Sequence, residues 1–342
     1  MAALFSRTST KVVGLLFGLF FLILAFIISL MFGATKIQFF VALESFWQYD
    51  STSDFHVIVQ TTRVPRAVIA TLVGMNLSIA GVLMQALTRN PLASPSVFGV
   101  NAGAVFFVVM ALNFLNISSF SQLVWFAFLG AGVAAATVYV LGSLGRDGAK
   151  PIKIVLAGSA MTALFSSFTQ GMLVLNESGL QEVLFWLAGS IAGREINMLW
   201  PILPYMFIAM ATALFLGRAV NILTTGEDIA MGLGQKTVLV KILIALTIVV
   251  LAGSTVAVAG AIGFVGLVIP HVARFLVGVD HRWLIPYSAI LGAILMLLAD
   301  VAVRFIIMPG EVPVGIMTAL IGAPFFVYIA RKGFSKKGEH HG

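Results

Sequence analysis

Residues 12–32 read VVGLLFGLFFLILAFIISLMF, with no charged side chain and Ser29 as the one hydroxyl. A bilayer core about 30 Å thick takes roughly 20 apolar residues to cross as a helix. This run is long enough. It exceeds the roughly 7–15 residues of a signal-peptide core, and no small-residue cleavage site is obvious beside it. It reads as an uncleaved first membrane span behind a short basic tail, Met1–Lys11.

The rest of the chain has the same character. Of its 342 residues, 60% are hydrophobic and 10% charged, where a soluble domain carries about 25% charged residues. Such a chain cannot clothe itself in polar surface, so lipid is its solvent. The expected fold is all-α: a polytopic membrane helical bundle of about ten transmembrane helices, forming one domain over residues 1–342. The spans fall near 12–34, 64–87, 95–115, 122–142, 152–172, 199–218, 238–258, 259–279, 284–307 and 313–331. The run from Ile242 to Val279 is broken only by Gly253, Gly260, Gly263 and Pro270. One long span with a re-entrant segment is the alternative there.

Orientation follows from Lys and Arg, which gather on the cytoplasmic side. With the N-terminus inside, only Lys36, Arg63, Arg66, Arg194 and Arg304 of the 20 Lys and Arg residues fall outside. The bias puts both tails, 1–11 and 332–342, in the cytoplasm and favours an even number of spans. It also accounts for the net charge of +7 without nucleic acid. The absence of cysteine excludes disulfides, thiolate metal sites and cysteine nucleophiles.

Five segments carry more than packing. Arg63-Val64-Pro65-Arg66 puts two cations at the outer mouth of span two, either snorkelling to headgroups or facing a docking partner. Gln85–Pro95 is a polar, twice proline-bounded turn. It is either a simple connection or the lining of a pore mouth, since irregular backbone at membrane depth survives only where protein or water satisfies it. The third lies in the cytoplasmic loop of about 218–241. Thr225 can cap a short helix starting near Glu227, whose acidic first turn suits the helix dipole, and Gly232 or Gly234 can end it. Ile229, Ala230, Met231 and Leu233 give it apolar residues outside the membrane. It is either a helix for a groove on another protein or one lying on the membrane surface. Gly232–Thr237 only faintly resembles a phosphate loop: Gln235 precedes Lys236 and no strand comes before it. This chain therefore shows no nucleotide site of its own.

The fourth, Gly260–Arg274, has glycines for bending and close packing, Pro270 in the ladder, and His271 as a hydrogen-bonding rather than metal-binding residue. The fifth sets Asp300 four residues before Arg304, on one helix face, followed by Pro309–Pro313. A carboxylate within a span is costly unless paired or wet. Asp300 is then an internal ion-pair partner or a proton relay, and Arg304 an ion-pair partner or a third outer arginine. The Asp300 relay would make the chain a gradient-driven secondary transporter. An intramembrane enzyme would need paired catalytic groups, and the spans offer Asp300 alone.

In order and spacing, these segments resemble the permease family of ABC importers for iron-siderophore complexes, haem and vitamin B12, from about Arg63 to Phe326. Trp186–Ser190, Glu311–Gly315 and Gly322–Phe326 add to the likeness. The resemblance implies a dimer of permease subunits, identical or sister chains, in the cytoplasmic membrane. It also implies two ATP-binding subunits that use ATP and Mg, and an extracytoplasmic substrate-binding protein. Thr225, Gly226, Glu227, Asp228, Ile229, Ala230, Met231, Gly232, Leu233 and Gly234 would then couple to the ATPase. Arg63, Arg66 and Arg304 would dock the binding protein. Asn90, Ala149 and Lys150 would stand near the inner gate. No catalytic residue, metal or cofactor is implied on this chain. The expected cargo is an iron-siderophore complex, with haem and cobalamin open, moved by alternating access.

Overall fold

The computed structural model describes residues 4–95, 99–117, 119–144, 151–175, 184, 186–307 and 310–338. Among these there is no strand. The helices are α1 (Thr8–Met31), α2 (Phe39–Trp47), α3 (Asp54–Ile58), α4 (Val64–Thr88), α5 (Val100–Phe114), α6 (Phe120–Ser143) and α7 (Pro151–Leu175). They continue with α8 (Leu203–Thr225), α9 (Glu227–Gly232), α10 (Thr237–Ala259), α11 (Val265–Val277), α12 (His281–Val303) and α13 (Val314–Gly338). Among the described residues, seven helices are long and apolar enough to cross a membrane, with α3 and α4 counted as one through a π-helical turn at Val59–Arg63. Three shorter apolar helices lie at Val100–Phe114, Val265–Val277 and Val314–Ile329. Each of the ten expected spans coincides with one of these ten helices.

The bundle is built around α4, which is buried along almost its whole length and packs on α10, α11 and α12. Glycine makes the crossings tight. A Cβ on Gly81 would stand 1.9 Å from the Gly266 carbonyl oxygen, and one on Gly74 would stand 2.2 Å from that of Gly292. In lipid, where no hydrophobic effect drives helices together, such backbone approach supplies the dispersion contact that holds them. The helices α5, α6 and α7 form a second group joined to the first through α10. On the outside of α12 sits α1, mostly exposed, with Gly14 against Tyr287 and Gly18 against Ile290.

Several boundaries correct the sequence reading. The sixth stretch begins at Leu203 and runs to Thr225, so the expected loop of about 218–241 is mostly helix. The C-terminal helix continues to Gly338 rather than ending at 331. The seventh and eighth stretches are separate helices, but the second starts at Val265 and has 13 residues. At about 1.5 Å per residue it is shorter than a bilayer core. Between them, Gly260 and Phe264 take left-handed φ values of 74° and 66°. The freed backbone groups here find partners in other irregular segments. Ala261 N donates to the Trp186 carbonyl at 2.9 Å, and Ser190 N donates to that of Ala259 at 2.8 Å. Gly315 N reaches the Gly189 carbonyl at 2.9 Å. Buried irregular backbone is tolerated only with such pairing. Of the glycines expected to bend this segment and pack closely, Gly266 packs on α4 and Gly260 abuts Trp186, while Gly263 has open space around it.

Candidate functional site

At the C-terminal end of α1, five charged side chains converge. Arg66, in the first turn of α4, donates through Nε to Asp300 Oδ1 at 2.8 Å and through Nη1 to both Glu311 oxygens at 2.8 and 2.7 Å. Arg304, next after α12, donates to the other oxygen of Asp300, and its Nη1 reaches the Ser29 and Phe32 carbonyls, each at 2.8 Å. Arg63 donates to the Phe32 carbonyl at 2.6 Å and to that of Thr35 at 3.1 Å. Arg304 therefore satisfies the Ser29 carbonyl in the last turn of α1, where carbonyls lack partners inside their own helix and carry the negative end of its dipole, and both arginines hold the Phe32 carbonyl just beyond it.

Three positive charges against two negative leave this cluster with a net charge of +1. All three arginines are at most 6% exposed and Asp300 is fully buried. Glu311, with a 41% exposed side chain, stands at the surface. A cavity of about 230 Å³ opens among Ala34, Thr35, Ile58, Thr62, the three arginines, Gly310 and Glu311. The arginines expected at the outer rim are thus together, but turned inward rather than spread on the surface. Asp300 and Arg304 form the internal ion pair that their spacing allowed. With both oxygens of Asp300 held by arginines, nothing here favours a proton relay. Glu311 and the α1 carbonyls were not singled out as part of this site. Gly33 was missed too: a Cβ there would stand 1.8 Å from Arg63 Nη1.

At the other end of the bundle, α9 is held on both sides. Glu227 pairs with Lys241 of α10 at 2.6 Å, and the Gln235 side chain donates to the Ala219 carbonyl of α8 at 2.9 Å. Ala230 is buried against the bundle, while Ile229, Met231 and Leu233 are each more than half exposed. Thr225 does not cap this helix. It ends α8, with its hydroxyl turned back to the Ile222 carbonyl at 2.8 Å. Gly226 occupies the N-cap at φ 139° and ψ 144°, a region essentially reserved for glycine. Leu233 follows the last helical residue, Gly232, and Gly234 makes the left-handed exit at φ 80°.

Beside α9, a cavity of about 520 Å³ is lined by Gln85, Arg89, Pro91, Asn221, Arg274, Asp280 and His281, among others. The Asn221 side chain donates to Asp280 at 2.7 Å and accepts from His281 N at 2.9 Å. Arg282 pairs with Asp280 at 2.7 Å and holds its carboxyl well below the usual carboxylate range. Arg89 donates to the Leu223 carbonyl at 3.2 Å, tying the turn after α4 to the end of α8. Asn90 accepts from Leu92 N at 2.9 Å within that turn. Ala149 and Lys150 lie outside the described residues. The His271 ring nitrogen sits 2.9 Å from the Leu267 carbonyl, and no group of three or more metal-ligating side chains occurs among the described residues.

A further feature escaped the sequence reading. Along α7 the residues Ser159, Ala163, Ser167 and Gly171, spaced by four, are all exposed, with Gln170 beside them. A Cβ on Gly171 would meet nothing within 4 Å. Average hydropathy hid this face, because exposed leucine and phenylalanine flank it.

Comparison with known proteins adds three findings. The FecCD transport family matches residues 21–332. The probable siderophore transport system permease protein YfiZ of Bacillus subtilis (strain 168) is 53% identical over 327 residues, covering 96% of this chain and 98% of the relative. The ferric enterobactin transport system permease protein FepD of Escherichia coli (strain K12) is 40% identical, covering 92% and 93%. A putative metal-chelate type ABC transporter solved in an inward-facing conformation superposes with a TM-score of 0.81 at 30% identity, covering 93% of this chain and 98% of that one.

Proposed function

This chain belongs to the FecCD transport family and is a permease subunit of an ABC importer, and we propose that it carries a ferric siderophore across the cytoplasmic membrane by alternating access. It is a multi-pass membrane protein. In this reading all ten apolar helices cross or enter the bilayer, both termini are cytoplasmic, and two copies or sister chains enclose the path. Hydrolysis of ATP with Mg takes place on two separate ATP-binding subunits.

The observation that carries this reading is the exposed triplet of Ile229 and Met231 on α9 and Leu233 at its C-cap. Burying such a side chain is worth about 1.5–3 kcal/mol. A surface-lying helix would gain this from lipid. However, α9 has only six residues and is fixed to α8 and α10 by Glu227 and Gln235, so it behaves as a rigid knob. A knob seated in a groove on the ATPase transmits motion into α8 and α10. Arg89 would pass it on to the turn holding Asn90, the inner gate in this reading.

At the outer end, the +1 cluster with its cavity is the docking place for an acidic side chain of the binding protein. Among the described residues Arg63 donates to carbonyls and not to a carboxylate, so a carboxylate entering from outside meets a positive charge not yet paired with an acid. The small and polar stripe on α7 suits a neighbouring permease subunit and a hydrated path for a bulky chelate.

Met231→Asp and Leu233→Asp test the coupling. Each should leave the permease folded in detergent and strongly reduce co-purification of the ATPase subunit. Undiminished co-purification and transport would refute the role of α9.

A further inference from the structure

The segment between the first two membrane helices contains α2, whose faces are unequal. Ala42 and Ser45 are buried, and Ala42 packs with Ile37 and Val59. Gln60 secures this face by donating to the Ser45 carbonyl at 3.0 Å. The exposed positions are Phe39, Phe40, Leu43, Glu44, Phe46 and Trp47, so five of six are apolar. Phe40 and Trp47 are each 77% exposed. A helix in water with this outer face would be a liability. We propose that α2 is an interfacial anchor whose aromatic face sits in the phospholipid leaflet at the C-terminal end of α1.

Two observations select lipid over a protein partner. First, the face continues an existing lipid surface. Helix α1 is long and apolar enough to cross the membrane, with Phe17, Phe20, Phe21 and Ile23 exposed. The linker to α2 folds back on its end, with Ile37 N donating to the Met31 carbonyl at 3.0 Å, and α2 packs against α1. Second, the composition is that of a membrane–water boundary, where tryptophan and tyrosine concentrate. Trp47 and Tyr49 close the apolar stretch, and the exposed polar turn of Asp50, Ser51 and Thr52 follows at once. A protein-docking face would show a polar rim around its apolar centre; here the exposed Lys36, Gln38 and Gln48 lie only at the two ends of α2, and along the helix itself Glu44 is the one exposed polar residue.

The anchor bears on the arginine cluster. The carbonyls of Phe32 and Thr35 that hold Arg63 belong to the α1–α2 linker. Fixing α2 at the leaflet surface therefore fixes the depth at which that cradle sits. Lipid contact depends only on α1 crossing the bilayer. The name of the leaflet, outer, rests on the orientation proposed above.

The chain has no cysteine, so single-site labelling needs no background removal. Phe40→Cys, Trp47→Cys and, as a water-side control, Thr52→Cys are labelled with an NBD fluorophore in the full chain in phospholipid nanodiscs. Both sides of a nanodisc are open, so the result does not depend on orientation. At 40 and 47, doxyl-labelled lipid should quench several-fold more than aqueous iodide, with the order reversed at 52. Iodide quenching at 40 and 47 as strong as at 52 overturns the proposal. If the binding protein then shields those labels, the face is a protein-docking surface instead.

Discussion

Asp300 holds two arginines on one fully buried carboxylate. Removing one member of a buried ion pair costs about 3–5 kcal/mol, because the partner charge stays buried without compensation. Asp300→Asn should therefore lower the thermal unfolding midpoint in detergent by many degrees. Glu311→Gln removes a charge that is partly in water, where pairs are worth about 0–1 kcal/mol, and should shift it little. Equal shifts would contradict the burial argument. Gly33→Ala separates docking from stability. The added methyl meets the end of a flexible arginine, so Arg63 gives way and the fold survives. Affinity for the binding protein, measured by surface plasmon resonance on the permease in nanodiscs, should fall. At this scale the sequence was half legible. Four-residue spacing placed Arg304 beside Asp300, but Arg66 lies 234 positions from Asp300. Only the packing of α4 on α12 brings them together, and no local pattern reports that.

Two helix faces with glycine behave in opposite ways. On α4, Gly81 lies against backbone that cannot yield, so Gly81→Ala forces helices apart at a cost of about 1–3 kcal/mol. It should reduce both the folded yield on gel filtration and the unfolding midpoint. On α7, Gly171 faces open space, so Gly171→Trp should leave the isolated subunit's unfolding unchanged while stopping transport in the assembled importer. A destabilised subunit would show that this face is already packed. The N-terminus of α12 gives a pH test. Asp280 caps it, and the hydrogen bond from Arg282 depresses the Asp280 carboxyl pKa. A carboxylate with a depressed folded pKa contributes stability that is whole above its unfolded value, about 4. That contribution is lost as pH falls through the folded pKa. The stability gap between wild type and Asp280→Asn should be flat between about pH 8 and 5 and narrow only in stronger acid. Among elements, α9 was legible because apolar residues between charged loops are conspicuous. Its cap was not. Thr225 has the right chemistry, but the turn needs a φ that only Gly226 adopts, and α8 had already claimed the threonine. The short α11 was misjudged because continuous hydropathy cannot show where a chain leaves the helix.

Across the whole molecule, hydropathy alone made the polytopic bundle legible, since the apolar runs are helical, with the run from Ile242 to Val279 divided between α10 and α11. Its assembly is not a property of one chain. The arginine cluster with its cavity, the α7 stripe and the exposed residues at α9 lie at different places on the bundle, and in the proposed reading they serve the binding protein, a neighbouring permease and the ATPase. No nucleotide loop and no paired intramembrane acid–base groups compete with that reading among the described residues. The direct test is uptake of radiolabelled ferric siderophore by proteoliposomes containing this chain with its ATP-binding subunits, its binding protein and any sister permease. Uptake should require both ATP and the binding protein, and should vanish in Met231→Asp. Uptake driven by a proton or ion gradient without ATP would contradict the account.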